Sequence, residues 1–171
     1  MLEKFTKSSV VLHWISGAVL VFLLLTGTFV LSEMPNTVEK ISSFRIHMLL
    51  GILAVLLSIV RIINIYKTSS PKELEMSSFR AKMMRYNHIA IYAVIIAIGL
   101  SGILFARSSS LGEIVFFGAD KAIYTSMKDF TMGIAHGFLT KVLIALIIMH
   151  VAGVFAYIFK TKINIVKRMW F

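Results

Sequence analysis

"HGFLTKVLIALIIMH", residues 136–150, opens and closes on histidine, and between them only Thr140 and Lys141 are polar. The two imidazoles are fourteen residues apart. In an α-helix that is close to four turns, so His136 and His150 share one face, about 21 Å apart along the axis. A run this apolar is long enough to lie in a bilayer, where polar side chains are costly and usually functional. The stretch predicts a membrane-spanning helix that carries two histidines for a reason the rest of the chain must supply.

Composition agrees. Of 171 residues, 58% are hydrophobic, and the mean hydropathy is +0.86, too apolar for an ordinary soluble domain. There are no cysteines. Disulfides, thiolate metal sites, iron–sulfur clusters and covalent haem attachment through C-x-x-C-H are therefore excluded within the chain. The length suits one compact bundle, a single domain over residues 1–171.

Four segments reach the roughly 20 residues that a spanning helix needs. They are predicted at about 10–31, 44–66, 86–106 and 134–159. Lipid cannot satisfy backbone polar groups, so an open chain crosses it as helix. The expected fold is all-α, an integral membrane four-helix bundle. The first segment is not read as a cleavable signal peptide: His13 and Trp14 interrupt it, and no small-residue cleavage site follows. Pro35 and Asn36 give the loop at 32–43 a turn-like start. Residues 67–85 read as a polar, basic loop. In the longest loop, 107–133, "LGEIVFFGADKAIYTSM" reads as a short interfacial helix.

Charge sets an expected orientation. The face with the N-terminus, the second loop and the C-terminus gathers twelve Lys and Arg against Glu3, Glu73 and Glu75. The opposite face is nearly balanced, with Lys40, Arg45, Arg107, Lys121, Lys128 and Lys141 against Glu33, Glu39, Glu113, Asp120 and Asp129. The positive-inside rule makes the basic face, and both termini, cytoplasmic. The net charge of +10 is thus a topology signal, and no nucleic-acid partner is needed to explain it.

All five histidines fall in the predicted spans. Because successive helices are antiparallel, they sort into two depth layers. His47 and His136 lie toward the outer face; His13, His88 and His150 lie toward the basic face. A bis-imidazole haem takes one histidine from each of two facing helices at matched depth. Two haems stacked across the bilayer need four such histidines, two of them on one helix about four turns apart. Depth alone leaves His13 and His88 both open as partners of His150. Gly17, Gly51, Gly137 and Gly153 would let a flat macrocycle approach a backbone, or serve only as helix-packing residues. Arg61 follows His47 by fourteen residues and so lies on the same face at the inner layer. There it either pairs with haem propionates or snorkels to the headgroups. Metal transport is disfavoured, since no acidic residue lies inside a predicted span and no H-x₃-H pair occurs.

At these residues the chain resembles the four-helix di-haem cytochrome b561 family of prokaryotes. The pieces that carry the resemblance are "VVLHW", "FRIHMLLGILAVLLSIVRI", "YNHIAIYAVIIAIGLSGIL" and "IAHGFLTKVLIALIIMHVAGVFAYIFK" followed by "VKRM". The resemblance implies two non-covalent haems b in the core. It pairs His47 with His136 at the periplasmic side and His13 with His150 at the cytoplasmic side. His88 then is no iron ligand and lies near a quinone site, while Arg61 stays a haem-binding candidate. The implied setting is the bacterial inner membrane, and the implied work is single-electron transfer. Some members of the family are superoxide oxidases, a superoxide:quinone oxidoreductase activity with ubiquinone as acceptor. Lys121, Lys128, Arg107 and Arg45 are the cations expected to draw an anionic donor. The alternatives are a cytochrome b subunit fed by a docked dehydrogenase or hydrogenase, and a haem-free transporter or proton channel.

Overall fold

The computed structural model describes residues 3–35, 37–123 and 126–170. Helix α1 (Lys7–Leu25) continues into a π-helical stretch, Thr26–Leu31. Then come α2 (Val38–Lys67), α3 (Ser78–Ser108), the short α4 (Leu111–Phe117) and α5 (Thr131–Thr161). The two prolines, Pro35 and Pro71, both fall between helices, where a missing N–H and a fixed φ do no harm. Thr6 caps α1 by accepting a hydrogen bond from the Ser9 N–H at 3.4 Å. Gly118 (φ +66°) closes α4 in the left-handed region, where glycine carries no steric penalty.

Each predicted span lies inside a helix, and each helix runs further. Residues 38–43 belong to α2 and 78–85 to α3, so the second loop shrinks to 68–77. Apolarity marks the part of a helix that lipid touches, whereas backbone bonding carries the helix on into the headgroups. The loop helix is shorter than its predicted stretch and ends at Phe117. Asn36, Tyr124 and Thr125, which entered the loop predictions, lie outside the described residues.

Among the described residues, four helices are long and apolar enough to cross a membrane. Their outward faces are apolar, with Phe29, Leu100, Phe138 and Ile148 exposed, and the tight interior positions are small and often polar. Ser16, Ser58 and Ser101 are buried, and each returns its hydroxyl to a carbonyl of its own helix, at Leu12, Ala54 and Ile98. Such inversion is expected where lipid is the solvent and helices associate through close backbone approach. α5 packs along α3, α1 along α2, and α2 meets α3. α5 has no comparably extended packing on α1 or α2, although it faces both.

Each end is closed differently. At the outer end, Leu111 and Val115 of α4 bury against Leu31, Phe44 and Phe105. Arg45 donates from Nε and Nη2 to the Val115 carbonyl, at 3.0 and 2.6 Å. At the basic end, buried Arg168 donates to the carbonyls of Glu3 and Lys72 at 3.0 and 2.6 Å. Its guanidinium lies over the Phe5 ring. Trp14 Nε1 donates to the Met169 carbonyl at 2.6 Å, so the C-terminal segment is tied to α1 beside His13.

Gly133, in the first turn of α5, has no room for a side chain: a Cβ there would collide with the Met127 carbonyl and sit 3.2 Å from the Phe105 ring. Gly133→Ala is expected to cost about 1–3 kcal/mol, as overpacking does. A thermal midpoint measured in detergent checks this, and an unchanged midpoint would contradict the packing.

Candidate haem site

Helix order brings the outer-layer histidines together across the gap between α2 and α5. The His47 and His136 ring centroids are 6.3 Å apart with planes inclined by 69°. One layer further in, His13 on α1 and His150 on α5 face each other with the same 6.3 Å separation and planes at 52°. His88 on α3 also meets His150, but at 5.0 Å and edge to face.

These separations bear on what can lie between the rings. A metal–nitrogen bond to imidazole is about 2 Å, and a ring centroid lies about 1.1 Å behind its nitrogen. Two imidazoles on one iron therefore hold their centroids about 6.2 Å apart. Both cross-bundle pairs match that value, and the His88–His150 contact is too short for it. The space agrees. At Gly17, Gly51, Gly137 and Gly153 an added Cβ would meet nothing within 4 Å. Beside Gly17 an open, apolar groove of about 600 Å³ runs along α1 from His13 to Leu25. A flat apolar macrocycle fits such a setting. His47 keeps a buried Nδ1 that has no hydrogen-bond partner among the described residues, a cost that a protein normally avoids. The residues present fit a bis-histidine haem in each layer.

Partners beyond the rings differ between the layers. His136 Nδ1 lies 3.1 Å from the Ile98 carbonyl and 3.3 Å from Ser101 Oγ, both on α3. Gly102 makes this possible, since a Cβ there would stand 3.2 Å from the His136 ring. Gly27, within the π-helical stretch, likewise lies against His47, where a Cβ would be 3.0 Å from Cε1. In the inner layer, Arg61 Nη2 is 3.0 Å from His13 Nδ1, and the guanidinium lies over Tyr92 at 5.4 Å. Arginine only donates, so His13 Nδ1 is the acceptor and its proton sits on Nε2. Were Nε2 to take an iron, the proton would sit on Nδ1 and the guanidinium would be free for a carboxylate acceptor such as a haem propionate. His88 Nδ1 is 2.8 Å from its own helix's Met84 carbonyl, which leaves Nε2 for another partner.

The outer cations are less free than expected. Arg45 is committed to α4, and Lys121 forms an ion pair with Glu113. Arg107 and Lys128 remain exposed. Sequence reasoning missed Gly27, Ile98, Ser101 and Gly102. Gly27, Ser101 and Gly102 signal themselves only as small residues facing a histidine on another helix, and Ile98 acts through its carbonyl, so none can be seen before the helices are paired.

A family model described as prokaryotic cytochrome b561 matches residues 4–171. No curated protein and no solved structure matches the chain.

Proposed function

The chain belongs to the prokaryotic cytochrome b561 family, a multi-pass membrane electron carrier with b-type haem, and from that premise we propose that it oxidises superoxide at one face and reduces ubiquinone toward the other. Two haems are held by this chain, one by His47 and His136, the other by His13 and His150. The observation that carries this is the repeated 6.3 Å separation of facing rings across the bundle. Bound there, haem supplies one-electron exchange between the two faces. The basic end, with both termini, is cytoplasmic by the positive-inside rule.

The overall stoichiometry is simple. Two superoxide ions each lose one electron and leave as dioxygen. One quinone takes the two electrons with two protons and leaves as quinol. The protein's own part is to hold, orient and protonate. α4 closes the outer end of the bundle over the His47 layer. His88, whose Nδ1 is fixed by Met84, presents Nε2 at the inner layer and hands a proton to a quinone oxygen there, work that imidazole suits near neutral pH. Ser77–Arg85 and the C-terminal segment carry basic side chains on that side, where the lipid headgroups are anionic.

Superoxide is an anion, so the exposed Arg107 and Lys128 should help it arrive. With Arg45 and Lys121 engaged elsewhere, the effect is expected to be small. Arg107→Glu with Lys128→Glu should slow haem reduction by superoxide about two- to threefold, leave the absorption spectrum intact, and weaken the salt dependence. Stopped-flow mixing with a superoxide source measures this. Wild-type reduction no faster than background chemistry would remove superoxide as donor.

The second reading is a cytochrome b subunit fed by a docked dehydrogenase or hydrogenase. It is favoured by α4, which exposes Phe116 and Phe117, the latter at 85%, on the same outer end where the cations are engaged. Co-purification of a redox partner that is lost in Phe117→Asp would put this reading first.

A further inference from the structure

The two cross-bundle histidine pairs have the same spacing and unlike surroundings. One ring of the outer pair, His136, holds its Nδ1 against a backbone carbonyl, that of Ile98 at 3.1 Å. One ring of the inner pair, His13, has a half-buried guanidinium at 3.0 Å from its Nδ1. These contacts act on a bound iron in opposite directions. A carbonyl that accepts the ligand's N–H makes the imidazole more basic, which favours the oxidised, more positive iron. A fixed cation in a low-dielectric interior disfavours the more positive iron and so favours the reduced one. That sign survives if Arg61 turns to a propionate, because losing it would then leave a carboxylate uncompensated beside the iron.

We infer that this asymmetry sets the direction of electron travel: the His13–His150 pair holds the higher potential and the His47–His136 pair the lower, with Arg61 and the Ile98–Ser101–Gly102 surface of α3 as positioning elements. The inference rests on the two-haem reading above. Gly102 is the key to the outer contact. Its missing Cβ admits the His136 ring to the α3 backbone, and Ser101 Oγ, which donates to the Ile98 carbonyl at 2.9 Å and lies 3.3 Å from His136 Nδ1, completes the seat. No equivalent carbonyl contact is found at His13 among the described residues, where the partner is the guanidinium.

The experiment is a spectroelectrochemical titration of haem-loaded protein in two single-haem backgrounds. His47→Ala keeps the inner haem and His13→Ala keeps the outer one, so each midpoint is assigned without fitting two transitions. The inner midpoint is expected above the outer by at least a tenfold equilibrium preference, 59 mV for one electron. Arg61→Gln in the inner-only background should lower its midpoint by a comparable tenfold preference, and Arg61→Lys should restore most of it. Gly102→Ala in the outer-only background should raise that midpoint and shift the low-spin EPR signal, because the ring is pushed off the Ile98 carbonyl. Ser101→Ala, a smaller change that preserves packing, should move it the same way by less. An inner midpoint at or below the outer, with one haem present in each background, overturns the inference and leaves the two-haem reading standing. Backgrounds that fail to hold one low-spin haem each overturn the reading beneath it. An Arg61→Gln midpoint equal to the parent's overturns the role given to the guanidinium.

Discussion

His150→Ala protein is expected to purify with about one haem b per chain where the parent carries about two, and His13→Ala should lose the same haem. His47→Ala and His136→Ala should each lose the other. The expectation follows from the facing pairs and the ligation proposed for them, in which each iron would take one ligand on α5 and one across the gap, on α1 or α2. Removing either partner leaves one imidazole, and a non-covalent haem has no cysteine to keep it in place. The pyridine haemochrome assay gives the stoichiometry, and a redox titration shows which transition has gone. Different transitions lost in His47→Ala and His136→Ala would break the pairing. A parent with one haem when fully loaded would contradict the layered arrangement itself.

His88→Ala should behave quite differently. It is expected to keep both haems and to slow quinone reduction by about a hundredfold, the lower end of what a positioned general acid contributes. The step that loads electrons from superoxide should be unchanged. The geometric reason is the 5.0 Å, edge-to-face contact of His88 with His150, too close for an iron between the rings. Its Nδ1 is fixed by the Met84 carbonyl, so the remaining nitrogen is oriented and still available. Stopped-flow reduction of a soluble quinone analogue, beside a haem count on the same sample, separates the two effects. Haem loss in His88→Ala with two haems retained in His13→Ala would exchange the roles of the two residues.

Much of this architecture is legible in the sequence because lipid simplifies the physics. Runs of Leu, Ile and Val without proline are helices, and antiparallel order then fixes depth, so His47 beside His136 follows from counting, while at His150 counting leaves His13 and His88 both open. The ends are less legible. Val38–Ser43 and Ser78–Arg85 are helical though polar, since hydropathy reports the hydrocarbon and the helix outlasts it. Least legible are contacts between helices that are distant in sequence. Gly17, Gly51, Gly137 and Gly153 stood out for lying near histidines on their own helices, and they face open space. Gly27 and Gly102 serve a histidine on a neighbouring helix, which no single-helix pattern reveals. Charge counting likewise could not show that Arg45 and Lys121 are engaged, because their partners, Val115 and Glu113, become neighbours only once α4 folds.

The position of α5 also governs how the molecule can be assembled on the ribosome. α5 is the last of the four long helices to be synthesised, and it brings one histidine to each facing pair. Until it enters the membrane, the α1–α2 hairpin offers only one imidazole per layer, and no pair can close. On the proposed pairing, insertion of α5 would therefore precede capture of haem in either layer. α5 packs only lightly against α1 and α2, so on that pairing a haem arriving from the lipid would meet both of its ligands at these seams. On that pairing, biogenesis and the finished redox path would both depend on the one long helix that is made last.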